Sequence, residues 1–160
     1  TDDIKKRMDT GLERLKRILC YAETKGALLL LENTNWEPDR AEVHYFAHNL
    51  EETMFYFDRL DSKNLGWSFT INHATLVPEG IAGFLDGGPI ERLGEVRMAD
   101  NNGLYELHMQ PGDGVIDWTD MFDRVEATGY TGHYTNAFGT LDDMLKGRDF
   151  QVNKFLGNRD

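Results

Sequence analysis

Four short apolar runs, separated by segments with helical periodicity, constrain the fold of this chain more than any other feature of its sequence. The first run, residues 27–31, reads Ala-Leu-Leu-Leu-Leu and is followed at once by polar residues. Such a continuous run is typical of a strand that is buried on both faces of a parallel sheet. Similar runs recur at 65–71, 93–98 and 131–135. Strands that alternate with helices in this way indicate parallel βαβ units.

Helices are predicted before and between these strands. Residues 4–25 carry apolar side chains at helical spacing, and Gly26 follows where a helix often ends. Further helices are predicted over 41–60, within 78–85, over 117–128, and after Thr140, which forms a capping-box pattern with Asp143. The predicted order is a helix followed by four strand–helix units in a single domain, residues 1–160. Four such parallel strands suit either a small open sheet or half of an eight-stranded barrel.

Charge and composition narrow the classes of partner. The chain has 28 acidic and 17 basic residues and a net charge of −11, which disfavours binding to the phosphate backbone of nucleic acids. No apolar run in the sequence approaches the roughly 20 residues of a membrane-spanning helix, so no membrane contact is expected. Cys20, the one cysteine, lies on the first predicted helix, where we expect a small core residue. A lone cysteine also fits a reducing, cytoplasmic setting.

Polar residues follow every predicted strand. In parallel α/β folds the carboxyl ends of the strands carry the functional site, so we expect these side chains to converge. The strand ends supply Glu32 and Asn33, Asn72 and His73, Arg97 and Asp100, and Asn136, and the long loop at 101–116 adds Glu106 and His108.

Two residues of that loop have the spacing of metal ligands. Glu106 and His108 are separated by one residue, which in an extended segment places both side chains on one face. Carboxylate and imidazole groups bind divalent ions such as Zn²⁺ or Mn²⁺. Glu32 and His73, at the ends of neighbouring strands, complete a set of four candidate ligands.

Other residues whose side chains can bind metal ions or stack on sugar rings also have a structural interpretation. His44 and His48 are one helical turn apart, and we expect them on a solvated helix face rather than in a metal site. Trp36, Trp67 and Trp118 are expected in the core. An indole also stacks on sugar rings, however, and Trp67 is retained as a candidate substrate contact.

Several stretches resemble the xylose-isomerase-like TIM barrels, a family that includes sugar isomerases, sugar epimerases and the endonuclease IV group. Leu-Glu-Asn-Thr at 31–34 is similar to one strand-end motif of that family, and residues 94–103 resemble the motif of its seventh strand. The loop at 106–118, with Gly-Asp-Gly-Val-Ile-Asp-Trp, and the Gly-Tyr-Thr-Gly at 129–132 are also similar to family motifs. The resemblance covers residues 12–145 and implies the C-terminal half of a (β/α)8 barrel, strands five to eight.

The resemblance also implies a function. It indicates an isomerase or epimerase that moves a proton next to a carbonyl group of a sugar or cyclitol, with a divalent ion (Mn, Mg, Co or Zn) stabilising the enediolate. Glu32 and His73 are then the catalytic residues. The candidate substrate-binding residues are Arg97, Asp100, Asn136 and Trp67, and the candidate metal ligands are Glu32, His73, Glu106 and His108.

The family's primary metal ligands are only partly present in this sequence. They are typically Glu, Asp, His and Glu, and the resemblance places them at Glu32, Thr70, Arg97 and Asn136, so only the first is retained. Arg97 is a permanent cation, which either replaces the ion or leaves it to bind at the candidate ligands named above. The missing ligands favour an alternative function, a non-catalytic binding or regulatory module with a degenerate metal site.

A half barrel implies a macromolecular partner as well as a substrate. Four strands leave two open edges and an uncovered inner face. We therefore expect either an N-terminal half-barrel or a second copy of the chain, as a homo-oligomer, to cover them. The other expected partner is a small sugar-like molecule.

Overall fold

The computed structural model describes residues 2–37, 44–136 and 139–157. The helices are α1 (Asp2–Lys25), α2 (Leu50–Phe57), α3 (Ile71–Ala74), α4 (Gly80–Gly87), α5 (Trp118–Ala127) and α6 (Leu141–Gly157). The strands are β1 (Leu29–Glu32), β2 (Leu65–Thr70), β3 (Leu93–Arg97) and β4 (Tyr134–Thr135), with a short 3₁₀ turn at Ile90–Arg92 before β3.

The four strands form one sheet in the order β1-β2-β3-β4, and every neighbouring pair is parallel. Helical segments separate successive strands, as parallel pairing requires, because a chain must cross back before it can pair in the same direction. The predicted α/β architecture, one helix followed by four parallel strand–helix units, is confirmed. Four parallel strands in this order match the half of a TIM barrel that the resemblance implies.

The outer face of the sheet packs against the helices. Trp67, Phe69 and Val96 lie on this face and are fully buried. The ring centroids of Trp67 and Phe69 lie 6.3 and 5.9 Å from that of Phe84 in α4, which holds that helix over β2. Burying each of these aromatic side chains contributes roughly 1.5–3 kcal/mol to folding.

The opposite face of the sheet is called the inner face, and it carries Leu30, Glu32, Ser68, Thr70, Glu95, Arg97 and Thr135. Leu30 lies across Gly66 and Gly94, where a Cβ atom would come within 2.7 and 2.8 Å of its Cδ2 atom. Leu30 is nevertheless 37% exposed. The inner side of β1 is therefore open to solvent in this chain, which agrees with the uncovered inner face expected for half of a barrel.

The second helix begins later than its periodicity predicts. Residues 44–49 form a turn, and α2 starts only at Leu50. Asn49 ends the turn because its side-chain oxygen accepts a hydrogen bond from Glu52 N at 2.8 Å, which makes it the N-cap. Ala47 has a φ of 64°, a conformation that a helix does not contain. The predicted helical residues 41–43 lie outside the described residues.

This shorter helix changes the position of two histidines. The prediction that His44 and His48 lie on a solvated helix face is wrong, because both precede α2 and are partly buried beside Glu52. The expectation that Cys20 is a small core residue is also wrong. This cysteine is exposed, since α1 buries Leu19 and Ala22 on a different side of the helix.

The last helix is capped as predicted. Thr140 Oγ1 accepts a hydrogen bond from Asp143 N at 3.2 Å, and Asp143 Oδ2 accepts one from Thr140 N at 3.0 Å. This reciprocal pair satisfies two backbone donors that the first turn of a helix leaves unpaired. Among the described residues, no helix combines the length and apolar character that crossing a membrane requires.

Candidate metal and substrate site at the strand ends

Glu32, the last residue of β1, is held by side chains of the two neighbouring strands. Its Oε1 accepts a hydrogen bond from Thr70 Oγ1 at 2.6 Å, and its Oε2 accepts one from Arg97 Nη1 at 3.0 Å. The parallel register pairs Thr70 with Arg97 and so brings all three to the same edge of the inner face. A guanidinium has no lone pair to give to a metal ion. The position of the family's primary metal set therefore does not fit a metal in this chain.

Asn33 joins the ends of β1 and β2 and also orients His73. Its side-chain amide donates to Thr70 O at 3.0 Å and accepts from Thr70 N at 2.8 Å. The backbone oxygen of Asn33 lies 2.7 Å from His73 Nδ1. A carbonyl oxygen can only accept, so Nδ1 of His73 carries a proton, and Nε2 is the nitrogen that presents a lone pair when the ring is neutral.

His73, Glu106 and His108 form a group that we call the strand-end cluster. Glu106 Oε1 lies 3.3 Å from His73 Nε2 and 2.9 Å from His108 Nε2. Asn72 Nδ2 donates to the same oxygen at 2.8 Å. One ligand atom from each member of the cluster lies within 4.8 Å of the others. The predicted convergence of these side chains is thus present in the geometry.

The strand-end cluster fits a divalent ion. A neutral His73 directs the lone pair of Nε2 towards a carboxylate oxygen, and two lone pairs face each other favourably only when a proton or a cation lies between them. Glu106 Oε2 is buried and has no hydrogen-bond partner among the described residues, a costly situation for an anion. Two imidazole nitrogens and a carboxylate oxygen are a donor set that Zn²⁺ and Mn²⁺ accept.

Glu32 lies next to this cluster. Its Oε1 is 3.5 Å from His73 Nδ1, so a continuous line of charged groups runs from Arg97 through Glu32 to the cluster. Glu32 and Arg97 are each 30% exposed in their side chains, whereas the side chain of His108 is 47% exposed. A small molecule can therefore reach Arg97, Glu32 and the strand-end cluster from the inner face of the sheet.

Asp100, a predicted substrate-binding residue, is used inside the protein instead. It is fully buried, and its carboxylate accepts hydrogen bonds from Gly112 N at 3.0 Å, Ile116 N at 3.2 Å and Trp118 Nε1 at 3.0 Å. These bonds fold the loop after β3 back over the strand end. The geometry offers a substrate no access to this carboxylate.

Trp67 and Asn136 also point away from the strand-end cluster. Trp67 lies on the outer face of β2 with 0% exposure, a position that is incompatible with the predicted substrate contact. Asn136 follows β4, and its Nδ2 donates to Met144 O in α6 at 3.4 Å. Of the four predicted substrate-binding residues, only Arg97 is in line with the cluster.

Glu95 is a residue of the inner face that the sequence analysis did not select. Its carboxylate accepts hydrogen bonds from Ser68 Oγ at 2.9 Å and from Thr135 Oγ1 at 2.8 Å. It therefore ties β2, β3 and β4 together one layer below Glu32 and Arg97. The alternation of Glu95 and Arg97 along β3 is the signal that places both on one face.

A second polar group surrounds Glu52, and we call it the Glu52 cluster. Glu52 Oε1 lies 3.0 Å from His44 Nε2, and Oε2 lies 3.2 Å from His48 Nδ1 and accepts from Ala47 N at 3.0 Å. The hydrogen bond with Glu52 raises the pKa of His48. Burial acts to raise the pKa of Glu52, but the hydrogen bonds from His48 and His44 outweigh it, so that pKa is lowered.

The Glu52 cluster holds the turn before α2 against the loop after β1. Thr34 N donates to Ala47 O at 3.1 Å, and Thr34 Oγ1 donates to Phe46 O at 2.7 Å. Thr34 is two residues beyond Glu32. The turn therefore supports the backbone that positions the candidate site.

Comparison with known proteins gives one family match. The model of a family described as xylose isomerase-like TIM barrel matches residues 2–144. A curated relative, an uncharacterized protein of Methanocaldococcus jannaschii, is 27% identical over 146 residues, which are 89% of this chain and 47% of that protein. The chain thus spans about half the length of this relative.

Solved structures with the same fold include several sugar epimerases. A D-tagatose 3-epimerase-like protein has a TM-score of 0.83 and 23% identity over 96% of this chain and 56% of its own. The 3-keto-D-glucoside 4-epimerase of E. coli gives 0.69 and 21%, covering 92% and 52%. The D-psicose 3-epimerase of Clostridium cellulolyticum H10 gives 0.71 and 16%, covering 92% and 56%. At these identities the likeness shows the fold alone.

Proposed function

The chain belongs to the xylose isomerase-like TIM barrel family, and from this premise we propose that it takes part in metal-assisted isomerisation or epimerisation of a small sugar or related hydroxycarbonyl compound. The observation that carries the proposal is the strand-end cluster, in which His73 Nε2 and His108 Nε2 face one carboxylate oxygen of Glu106. Solved structures of the same fold that are named as sugar epimerases support the choice of substrate class.

In this proposal His73, Glu106 and His108 hold the divalent ion. Once bound, the ion would polarise the substrate carbonyl and stabilise negative charge on its oxygen. Zn²⁺ and Mn²⁺ suit the mixture of nitrogen and oxygen donors best, and Mg²⁺ or Co²⁺ are the other candidates.

Glu32 is the proposed base of the reaction. Its carboxylate takes a proton from the carbon next to the carbonyl, the C–H electron pair forms the new carbon–carbon double bond, and the carbonyl oxygen becomes the enediolate oxygen. Return of a proton to the same carbon from the opposite face gives the epimer. Its return to the other carbon, with transfer of the hydroxyl proton to the enediolate oxygen, gives the isomer, so no oxidant or reductant is required. Thr70 and Arg97 hold the carboxylate in a fixed orientation, and the guanidinium places a positive charge beside the developing anion.

The alternative function is a binding or regulatory module without catalysis. One observation favours it, namely the ion pair between Arg97 and Glu32, which occupies the place where the family resemblance puts a metal ligand. A guanidinium and a hydroxyl already occupy one lone-pair site on each oxygen of this carboxylate, which leaves fewer sites for a substrate. A module of this kind would bind a sugar and leave its C–H bonds intact.

Metal binding is tested by calorimetric titration of the metal-free chain with ZnCl₂ and MnCl₂. We expect binding in the wild type and a loss of affinity of at least about tenfold in His73→Ala, Glu106→Gln and His108→Ala, because each variant removes one donor. His133→Ala is the matched control, since His133 is exposed and lies outside the cluster. Equal affinity in all four variants would contradict the assignment of these ligands.

Catalysis is tested by the exchange of substrate hydrogen in D₂O. D-tagatose and D-psicose, incubated with the protein and MnCl₂, should lose the NMR signal of the C–H group next to the carbonyl. Glu32→Gln should abolish this exchange and leave metal binding in place. Binding of the sugars without exchange in the wild type would favour the binding module.

We also propose that a second half-barrel covers the inner face. It is provided either by an N-terminal half of a longer protein or by a second copy of this chain. Leu28 is 58% exposed and Leu30 is 37% exposed, and both apolar side chains lie beside Gly66. Covering them removes apolar surface from water, and pairing the free edges of β1 and β4 satisfies backbone groups that an edge strand leaves open.

A further inference from the structure

A pocket of about 470 Å³ lies between the segments that follow β1 and β2. Its apolar side is formed by Trp36, Leu76 and Pro78, and its polar side is formed by His48, Asn49 and Glu79. The volume falls within the range of roughly 300–1,000 Å³ that small-molecule sites occupy.

The pocket is on the same end of the sheet as the strand-end cluster. Trp36 is four residues beyond Glu32, and Leu76 is three residues beyond His73, so both walls begin at residues of the candidate site. The turn that carries His48 is bonded to Thr34 through Phe46 and Ala47. The pocket is therefore built from the segments that follow β1 and β2, the two strands whose carboxyl ends carry Glu32 and His73.

The side chains of the pocket match the two kinds of surface on a sugar ring. A pyranose has an apolar C–H face that packs on an aromatic ring, and hydroxyl groups at its edge that require hydrogen-bond partners. Trp36 is only partly buried and packs against the core, so its indole is fixed and still reachable. Trp67 and Trp118, by contrast, are 0% and 3% exposed.

Glu79 supplies a fixed acceptor at the rim of the pocket. Its Oε1 accepts a hydrogen bond from Leu50 N at 3.3 Å, which anchors the carboxylate to the first residue of α2. In the part of the chain that the structure describes, no hydrogen bond is formed by its Oε2. This oxygen is therefore available to a ligand hydroxyl, and the partly buried imidazole of His48 lies on the same side.

We propose that this pocket is a subsite for a second sugar ring, so that the preferred substrate class is a disaccharide or another glycoside and a free monosaccharide binds more weakly. The inference rests on the proposed function, because it is the strand-end cluster that would hold the reacting ring. The second ring stacks on Trp36 and donates a hydroxyl hydrogen bond to Glu79. All of the side chains named as walls of the pocket belong to the described residues.

The experiment compares binding of cellobiose and maltose with binding of D-glucose, by calorimetry and by saturation-transfer NMR, in the presence of MnCl₂. We expect at least one disaccharide to bind about tenfold more tightly than D-glucose, the gain that one stacked aromatic contact provides. Trp36→Ala should remove this difference, Trp36→Phe should retain most of it, and Glu79→Gln should reduce it. Tyr21→Ala is the control for an exposed aromatic side chain on α1.

The outcomes separate this inference from the proposed function. Equal affinity for D-glucose and both disaccharides, or a preference that Trp36→Ala leaves unchanged, would overturn the subsite, whatever the metal titration shows. A preference that depends on Trp36, in a protein that binds no metal, would support the subsite and refute the metal-assisted reaction. Trp36→Phe and Glu79→Gln keep the test decisive if Trp36→Ala does not fold.

Discussion

Arg97 Nη1 lies 3.0 Å from Glu32 Oε2, so β3 supplies a cation directly to the carboxylate at the end of β1. The pair spans β2, which contributes Thr70 to the same carboxylate at 2.6 Å. Three adjacent strands are therefore joined through one side chain.

Removing that cation should admit a metal ion. In a double variant with Arg97→His and Thr70→Asp, an imidazole and a carboxylate replace the two groups that now satisfy Glu32. We expect this variant to bind one divalent ion more per chain than the wild type, measured by elemental analysis after dialysis. Arg124→His, on the exposed surface of α5, is the control and should not change the metal content. A double variant with wild-type metal content would show that the position lacks the geometry of a metal site.

Metal binding should stabilise the fold. An ion that binds only the native state adds about 2.7 kcal/mol at a free concentration of 100 times its dissociation constant. We expect ZnCl₂ to raise the thermal midpoint of the wild type and of Glu91→Ala, an exposed control, and to leave Glu106→Ala unchanged. If zinc raised the thermal midpoint of Glu106→Ala as much as that of the wild type, the metal would have to bind at another site.

The Glu52 cluster should make stability depend on pH. The pKa of His48 is raised above its ordinary value of 6.5, so its contribution is complete below that pH and is lost as the pH rises through the folded-state pKa. The pKa of Glu52 is lowered below 4.5, so its contribution is present above that pH and is lost as the pH falls. The two contributions therefore coincide between about pH 4.5 and 6.5.

Urea unfolding of the wild type and of His48→Gln checks this dependence. The wild type should exceed the variant in free energy of unfolding at about pH 5.5, and the excess should shrink by on the order of 0.5–1 kcal/mol at about pH 8.5, a modest change because the pair is partly solvated. Other charged or titratable groups near the cluster are His44, Glu79 and Tyr56. An excess that grows towards alkaline pH would show that His48 acts as a neutral packing residue.

Asp100 should matter for stability more than for ligand binding. Asp100→Ala leaves the N–H groups of Gly112, Ile116 and Trp118 without their acceptor, and we expect a loss of about 3 kcal/mol in the free energy of unfolding. Asp113→Ala, an exposed change in the same loop, should cost less than about 0.5 kcal/mol. A fully stable Asp100→Ala protein that no longer binds a sugar would restore the predicted substrate role.

Coverage of the inner face can be measured by sedimentation equilibrium. If a second copy covers this face, the purified chain should be dimeric at micromolar concentration, and Leu30→Glu should shift it to monomer. Leu141→Glu, at a position on α6 that is 68% exposed, is the control and should leave the dimer intact. A well-folded monomeric wild type would exclude the second copy and leave an N-terminal half-barrel as the proposed cover.

The order and direction of the strands were predictable because apolar runs and helical periodicity are local signals. Glu106 and His108 were also accessible from the sequence, since two residues at alternate positions of an extended segment share a face whatever surrounds them. The alternation of Trp67 and Phe69 with Ser68 and Thr70 along β2 is also a local signal, and it places the two aromatic rings on the face opposite the polar side chains. Spacing does not reveal which of the two faces is covered by a helix, because that depends on the packing of Trp67 against Phe84.

The start of α2 shows a different kind of failure. Asn49 and Glu52 carry a capping signal, but the apolar residues before them continue a helical period, so the two local signals conflict. The turn exists because Ala47 adopts a positive φ and the carboxylate of Glu52 holds Ala47 N. Such a contact depends on a buried carboxylate and two histidines meeting in three dimensions, which spacing alone does not reveal.

Asn33 has two separate structural roles, and a substitution at this position affects both of them. Its side-chain amide links β1 to β2 through two hydrogen bonds to the backbone of Thr70, and its own backbone oxygen fixes the proton of His73 on Nδ1. A mutation of this residue therefore has two effects, one on the pairing of β1 with β2 and one on the orientation of His73. Homologues that have lost the activity are therefore expected to keep this asparagine, because the sheet still requires it. Its presence in them reflects the fold rather than the activity.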